Sequence, residues 1–230
     1  MDIFHDQTIH LYHGSRSGLE GEICPCSRER CDFGRGFYMG TNPDQVKGLV
    51  VSDQNPVFYE LEIDFTKIPI TRRLYLKDKD WMWTVLACRK QSAEFTETTL
   101  AKQAIRRLER ADIVAGPIAD DRMNEAMRRF EENGLTDVAL LHCLDSIDYG
   151  EQVVAKTPFA CQQVTIVARH TIRGKEAENA MHFSDQKRKE GENIVNKMAA
   201  RYNREGKFLS EIIENERKHD VIHKIQEEER

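Results

Sequence analysis

Residues 32–40 read Asp-Phe-Gly-Arg-Gly-Phe-Tyr-Met-Gly (DFGRGFYMG), a pattern that core packing alone does not explain. Gly34, Gly36 and Gly40 are interleaved with Phe33, Phe37, Tyr38 and Met39. Glycine in a strand costs backbone entropy and supplies no side chain to pack. Beside aromatic rings, such glycines read either as a bulge between two strands or as backbone that something approaches closely, with rings left to stack on it. The stretch also holds two motif fragments. Asp32-Phe33-Gly34 copies the magnesium tripeptide of protein kinases, but no H-R-D-x4-N or V-A-I-K segment accompanies it. Gly34-Arg35-Gly36 is a lone G-x-G without the strand–turn–helix unit of a dinucleotide fingerprint. Neither a kinase nor a Rossmann enzyme fits.

Outward from this stretch, strand and helix periods alternate. Upstream, residues 8–13 place Ile9, Leu11 and His13 on one face and His10 and Tyr12 on the other, a short strand ended by Gly14-Ser15. Residues 16–31 contain Gly18, Gly21, Pro25 and several charges, and read as loop. Downstream, Thr41-Asn42-Pro43-Asp44 is a turn that opens a helix through Val51. Residues 57–64 form the clearest half-buried strand, Val57, Tyr59, Leu61 and Ile63 alternating against Phe58, Glu60 and Glu62. A helix docked through Trp81 and Trp83 is predicted over 74–89, and an amphipathic one over 98–110. Residues 111–119 read as a buried strand broken at Gly116-Pro117. Helices follow over about 121–133, capped by Asp120 and Asp121, and over 137–144; strands over 152–157 and 162–169 close this part.

The chain of 230 residues can bury a full core. A net charge of -5 and a pI near 5.9 argue against a general electrostatic grip on nucleic acid or anionic membrane, and leave room for a local basic patch. No apolar run reaches membrane-spanning length and the N-terminal MDIFHDQTIH has no signal-peptide core, so a cytoplasmic protein is expected. Among the cysteines, Cys24, Cys26 and Cys31 cluster, with His10 or His13 as a conceivable fourth zinc ligand. Their C-x-C-x4-C spacing lacks the C-x2-C knuckle, so reduced, metal-free thiols are expected. Near Thr171 the character changes. Residues 172–230 are strongly charged, contain no proline and lose strand alternation, while Ile194, Met198 and Tyr202, then Phe208 or Leu209, Ile212 and Ile213, keep helical spacing. Two or more helices are predicted, packed on the main domain, on a partner or on a second copy.

Four segments together resemble an uncharacterised bacterial family of domains in the ADP-ribosyltransferase superfamily. They are LYHGS at 11–15, SRERCDFGRGFYMGT at 27–41, DIVAGPIADDRM at 112–123 and GEQVVAKTPFAC at 150–161. The resemblance runs over roughly residues 8–170 and stops before the charged tail. It implies an α+β fold, two small, mainly antiparallel sheets split by an NAD cleft, over 1–170, with a helical extension over 171–230.

The resemblance also implies a site. His13 is expected near the adenosine-side ribose hydroxyl, Gly14 to pair its backbone with the nicotinamide amide, and Tyr38 to stack on the nicotinamide ring. Ser15, Arg28, Gly36 and Phe37 join this NAD-binding set, Arg28 and Arg35 being placed to meet the pyrophosphate. The third position falls on Gln152, where many relatives have Glu; the adjacent Glu151 faces the other side by strand alternation.

Breaking the ribose–nicotinamide bond builds positive charge on the ribose, so a site must hold the leaving amide, clamp the hydroxyls and exclude water. A glutamine can hydrogen-bond a ribose hydroxyl but supplies no charge and cannot act as a base. Exchanging Gln152 for Glu is therefore expected to raise NAD hydrolysis. The expected activity is mono-ADP-ribosyl transfer from NAD to a macromolecular acceptor, a protein before a nucleic acid, with release of nicotinamide and no metal. The alternative is a catalytically weak module that binds NAD or ADP-ribose and acts through its helical tail.

Overall fold

A computed structural model describes residues 3–89, 92–119, 123–146 and 149–228. The chain runs β1 (Thr8–Ser15), β2 (Phe37–Gly40), α1 (Pro43–Val50), β3 (Val57–Asp64), β4 (Arg73–Tyr75), α2 (Asp78–Arg89), α3 (Ala93–Thr96) and α4 (Thr99–Glu109). It continues through β5 (Ile113–Pro117), α5 (Met123–Glu131), α6 (Asp137–Asp145), β6 (Glu151–Ala155), α7 (Pro158–Cys161), β7 (Val164–Thr171), α8 (Gly174–Tyr202) and α9 (Leu209–Glu228). The fold is α+β.

Local chemistry explains many of these boundaries. Asn42 caps α1, its side chain accepting from the N–H groups of Asp44 and Gln45, and Pro43 begins the helix where a missing N–H costs nothing. Thr98, Thr136 and Thr157 cap α4, α6 and α7 in the same way. The expected caps Asp120 and Asp121 lie outside the described residues.

The strands form one seven-stranded sheet in the order β4-β5-β6-β2-β1-β3-β7, rather than the two sheets expected. Every pairing is antiparallel except β4 with β5. The junction in the middle is nevertheless slight. β1 pairs with β3 along its whole length but with β2 at a single registered pair, Tyr12 with Gly40. Two ladders thus meet at a pinch between β1 and β2, and the edge of β1 beyond Tyr12 is released from its neighbour.

Residue 74 was expected in a helix; it lies in β4, too short a strand for any period to register, and α2 begins only at Asp78. Alternation along the sheet feeds two cores. Ile113, Ala115, Val153 and Ala155 pack with Leu11, Phe37 and Leu61 on one face. Val114 and Val154 pack on the other with Phe33, Trp81, Phe130 and Leu140, beneath α2, α4, α5 and α6. Phe58, on the otherwise acidic face of β3, is covered by Val46 and Val50 of α1 together with Ile172. Helices α8 and α9 lie against this body, burying Ala180, Val195, Leu209 and Ile213. Among the described residues no helix is long and apolar enough to cross a membrane.

Candidate functional site

The pinch between β1 and β2 opens onto a cavity of about 1040 Å³, with a smaller recess of about 130 Å³ beside it. Gly14 of β1, Tyr38 of β2 and Gln152 of β6 touch both spaces, and His13 lines the recess. Three strands separated widely in sequence therefore bring four of the sequence-predicted residues to one place.

His13 sits where β1 parts from β2. Its Nδ1 lies 2.7 Å from the Tyr38 carbonyl oxygen and its ring stacks on Phe37, with centroids 4.6 Å apart. A carbonyl can only accept, so Nδ1 carries the proton. Burial holds the imidazole below its ordinary pKa, the bond to Tyr38 offsetting this only in part. The neutral ring then leaves Nε2 as an acceptor.

Tyr38 presents its ring. Its hydroxyl donates to the Gly34 carbonyl at 2.6 Å and accepts from the Phe33 N–H at 3.0 Å, tying the 33–36 turn to β2. Burial first, then the Asp32 charge, push its pKa far up, so it stays protonated. Lys156 donates to the Phe33 carbonyl from the far side, and burial lowers its own pKa.

Gln152 is buried between Gly40 on β2 and Gly116 on β5, its register neighbours. Its Nε2 donates to Asp32 Oδ2 at 2.8 Å and to the Pro117 carbonyl at 2.9 Å. Asp32 in turn receives Nε and Nη2 of Arg89 on Oδ1, at 2.9 and 2.6 Å, and the Ala119 N–H on Oδ2 at 3.1 Å. Glu151 points away, accepting from the Tyr75 hydroxyl, as strand alternation requires. Asp32 and Arg89 were not among the sequence-predicted site residues. Asp32 was visible only inside a kinase-like fragment, and Arg89 only as a basic residue ending a helix.

The mouth is rich in arginine. Arg16, Arg28, Arg30 and Arg35 line the large cavity, against Glu29 as the acidic side chain other than the paired Asp32. Arg16 faces Asp53 at 3.5 Å. Among the described residues, the guanidinium groups of Arg28, Arg30 and Arg35 have no ion-pair partner. In a chain of net charge -5, this concentrates positive charge at the cavity mouth.

Three sequence-predicted residues do not reach the wall. Ser15 accepts the Gly18 N–H in a turn. Phe37 alternates to the opposite face and is buried in the core there. Gly36 is a packing position: a Cβ would lie 2.4 Å from Val154 Cγ1, and one at Gly40 would lie 2.7 Å from Val46 Cγ2. The close approach that the glycines permit is chain against chain. Cys24 and Cys26 are exposed, and Cys31 lines the cavity. Among the described residues no three His, Cys, Asp or Glu side chains gather as metal ligands.

Neither a curated protein nor a solved structure matches the chain. One family model does, described as Protein of unknown function (DUF3990), and it matches residues 9–166. That span runs from the second residue of β1 into β7 and holds every wall residue named above, so the chain belongs to the DUF3990 family.

Proposed function

We propose that this protein is a mono-ADP-ribosyltransferase that takes NAD as co-substrate, transfers ADP-ribose to a macromolecular acceptor in the cytoplasm and releases nicotinamide. One observation carries the reading: Gly14, Tyr38 and Gln152, from three separate strands, converge on a cavity with an arginine-lined mouth, and His13 lines the recess beside it. The residues fit a dinucleotide. Arg28, Arg30 and Arg35 offer cations to a pyrophosphate. Neutral His13 offers Nε2 and Gln152 offers its carbonyl oxygen, both acceptors suited to ribose hydroxyls. The Tyr38 ring supplies an apolar face for the nicotinamide, and the released edge of β1 at Gly14 leaves backbone groups beside it.

NAD supplies a glycosidic bond whose cleavage leaves positive charge on the ribose. The chain's share is to hold the ring, clamp the hydroxyls and restrict water. The ADP-ribosyltransferase-like unit is assigned to residues 1–170 and the charged helical extension to 171–230.

A second reading, an NAD- or ADP-ribose-binding module without fast turnover, is favoured by Asp32. Its carboxylate, although on the cavity wall, is occupied by Arg89, Gln152 and the Ala119 N–H. Titration calorimetry with NAD, followed by nicotinamide release in the presence of a bacterial lysate, separates the two. Heat with release supports the transferase, and heat without release supports the binding module. Absence of heat at millimolar NAD removes both.

A further inference from the structure

The cavity wall holds an ion pair that packing does not require. The side chains of Arg89 and Asp32 are 11% and 9% exposed, and their charged ends meet at 2.6 Å. Burying two charges carries a desolvation cost that apolar residues of similar volume would avoid. Its geometry shows what the pair accomplishes. Arg89 directs two N–H groups onto one carboxylate oxygen, leaving Oδ2 turned toward Gln152 and the Ala119 N–H.

A carboxylate can only accept, so it draws the amide nitrogen of Gln152 toward itself, and the Pro117 carbonyl takes the second amide hydrogen. Both hydrogens are thus used behind the wall. Among the described residues nothing donates to Gln152 Oε1, and Gln152 borders both the cavity and the recess.

We propose that Asp32 is a positioning residue that locks the Gln152 amide with its carbonyl oxygen toward the cavity, so that this wall selects a ligand bearing a hydroxyl donor at that point. The inference rests on the NAD reading for the identity of that donor, a hydroxyl of the ribose that carries nicotinamide. Unable to rotate, the amide cannot present its NH2 to a group that only accepts, such as a phosphate ester at the same position. The anionic partner also polarises the amide, adding negative character to Oε1 where positive charge develops on the ribose. The carboxylate lacking from position 152 therefore acts from one residue behind it.

The test uses full-length protein, wild type and Asp32→Asn. Asp32→Asn removes the charge with almost no change in volume. It also turns an amide nitrogen toward Gln152, because the oxygen remains the better partner for Arg89. The first readout needs no ligand: hydrogen exchange of the Gln152 side-chain amide by 15N NMR. Slow exchange in wild type, accelerated in Asp32→Asn, supports the lock. An unprotected wild-type amide overturns it, and this arm decides the matter even if Asp32→Asn fails to fold.

The second readout compares nicotinamide release from NAD and from NAD lacking the 2′-hydroxyl on the nicotinamide ribose. Wild type is expected to prefer NAD by about ten- to a hundredfold, the range of one hydrogen bond to a charge-polarised acceptor. Asp32→Asn should lose most of that ratio, mainly in kcat. A folded Asp32→Asn with unchanged amide exchange and unchanged preference overturns the proposal. If wild type neither binds nor cleaves NAD, the functional reading fails by itself, and amide exchange still decides whether Asp32 sets the amide.

Discussion

Exchanging Gln152 for Glu, expected from the resemblance to raise NAD hydrolysis, is predicted by the structure to damage the protein rather than speed it. The substitution removes both amide hydrogens, abandoning the Pro117 carbonyl and placing a second carboxylate at the 2.8 Å contact with Asp32. Two full charges at that separation repel by about 6 kcal/mol at an effective dielectric of about 20. Taking up a proton is cheaper. Holding a carboxyl of ordinary pKa near 4.3 protonated at pH 7 costs about 4 kcal/mol, and the neutral group can then donate to Asp32.

The sign follows from linkage. The introduced carboxyl has a folded pKa above its unfolded one, so the folded state binds the extra proton. The variant's stability relative to wild type is then highest below about pH 4.3 and falls by about 1.4 kcal/mol per pH unit as pH rises toward the folded pKa. At about 2–4 °C of melting temperature per kcal/mol, this pH-dependent part of the deficit should grow from about 2–4 °C at pH 5 to roughly 7–15 °C at pH 7. Thermal unfolding by circular dichroism at pH 5, 6, 7 and 8 measures it. The double change Asp32→Asn with Gln152→Glu leaves a single carboxyl and should lose the pH dependence. A deficit that is absent, or equal at every pH, refutes the picture of a buried carboxylate behind Gln152. Nicotinamide release by Gln152→Glu is expected not to exceed wild type at pH 7, contrary to the expectation from sequence alone.

Other predictions concern the same body. Because burial lowers the His13 pKa, unfolding takes up a proton below about pH 6.5; its contribution to stability is complete above that and is lost as pH falls to the folded pKa. An NMR titration should find His13 below 6.5, and a value above it contradicts the site. Gly36→Ala drives a methyl group to 2.4 Å from Val154 Cγ1 and should cost about 1–3 kcal/mol in denaturant unfolding, whereas no change would mean the 33–36 turn does not hug β6. Removing residues 174–230 strips Ala180, Val195, Leu209 and Ile213 from the buried set, so the shortened chain should melt earlier while keeping the residues that line the cavity. An unchanged melting temperature would mean that these helices do not pack as described.

What could be read along the chain was the chemistry of near neighbours. Alternation in 57–64 yields β3 because a half-buried strand has period two, and Asn42 and Thr98 announce helix starts because their side chains satisfy N–H groups two or three residues away. Even the facing of Glu151 and Gln152 follows from that period. Strand β4 leaves no signal in the sequence because three residues hold no period; its partner Ile113 lies far along the chain.

Resemblance to a family brought His13, Gly14, Tyr38 and Gln152 forward, but not what stands behind them. Arg89 is 57 residues from Asp32, and Gln152 is 120. No local rule links such positions, because each is placed by a different element and their contact exists only once the sheet has closed around it. The glycines of DFGRGFYMG mark the same limit. Their sequence announces that something must come close; only the packed chain decides that it is Val154 and Val46, since a Cβ clash is a property of two segments and not of one.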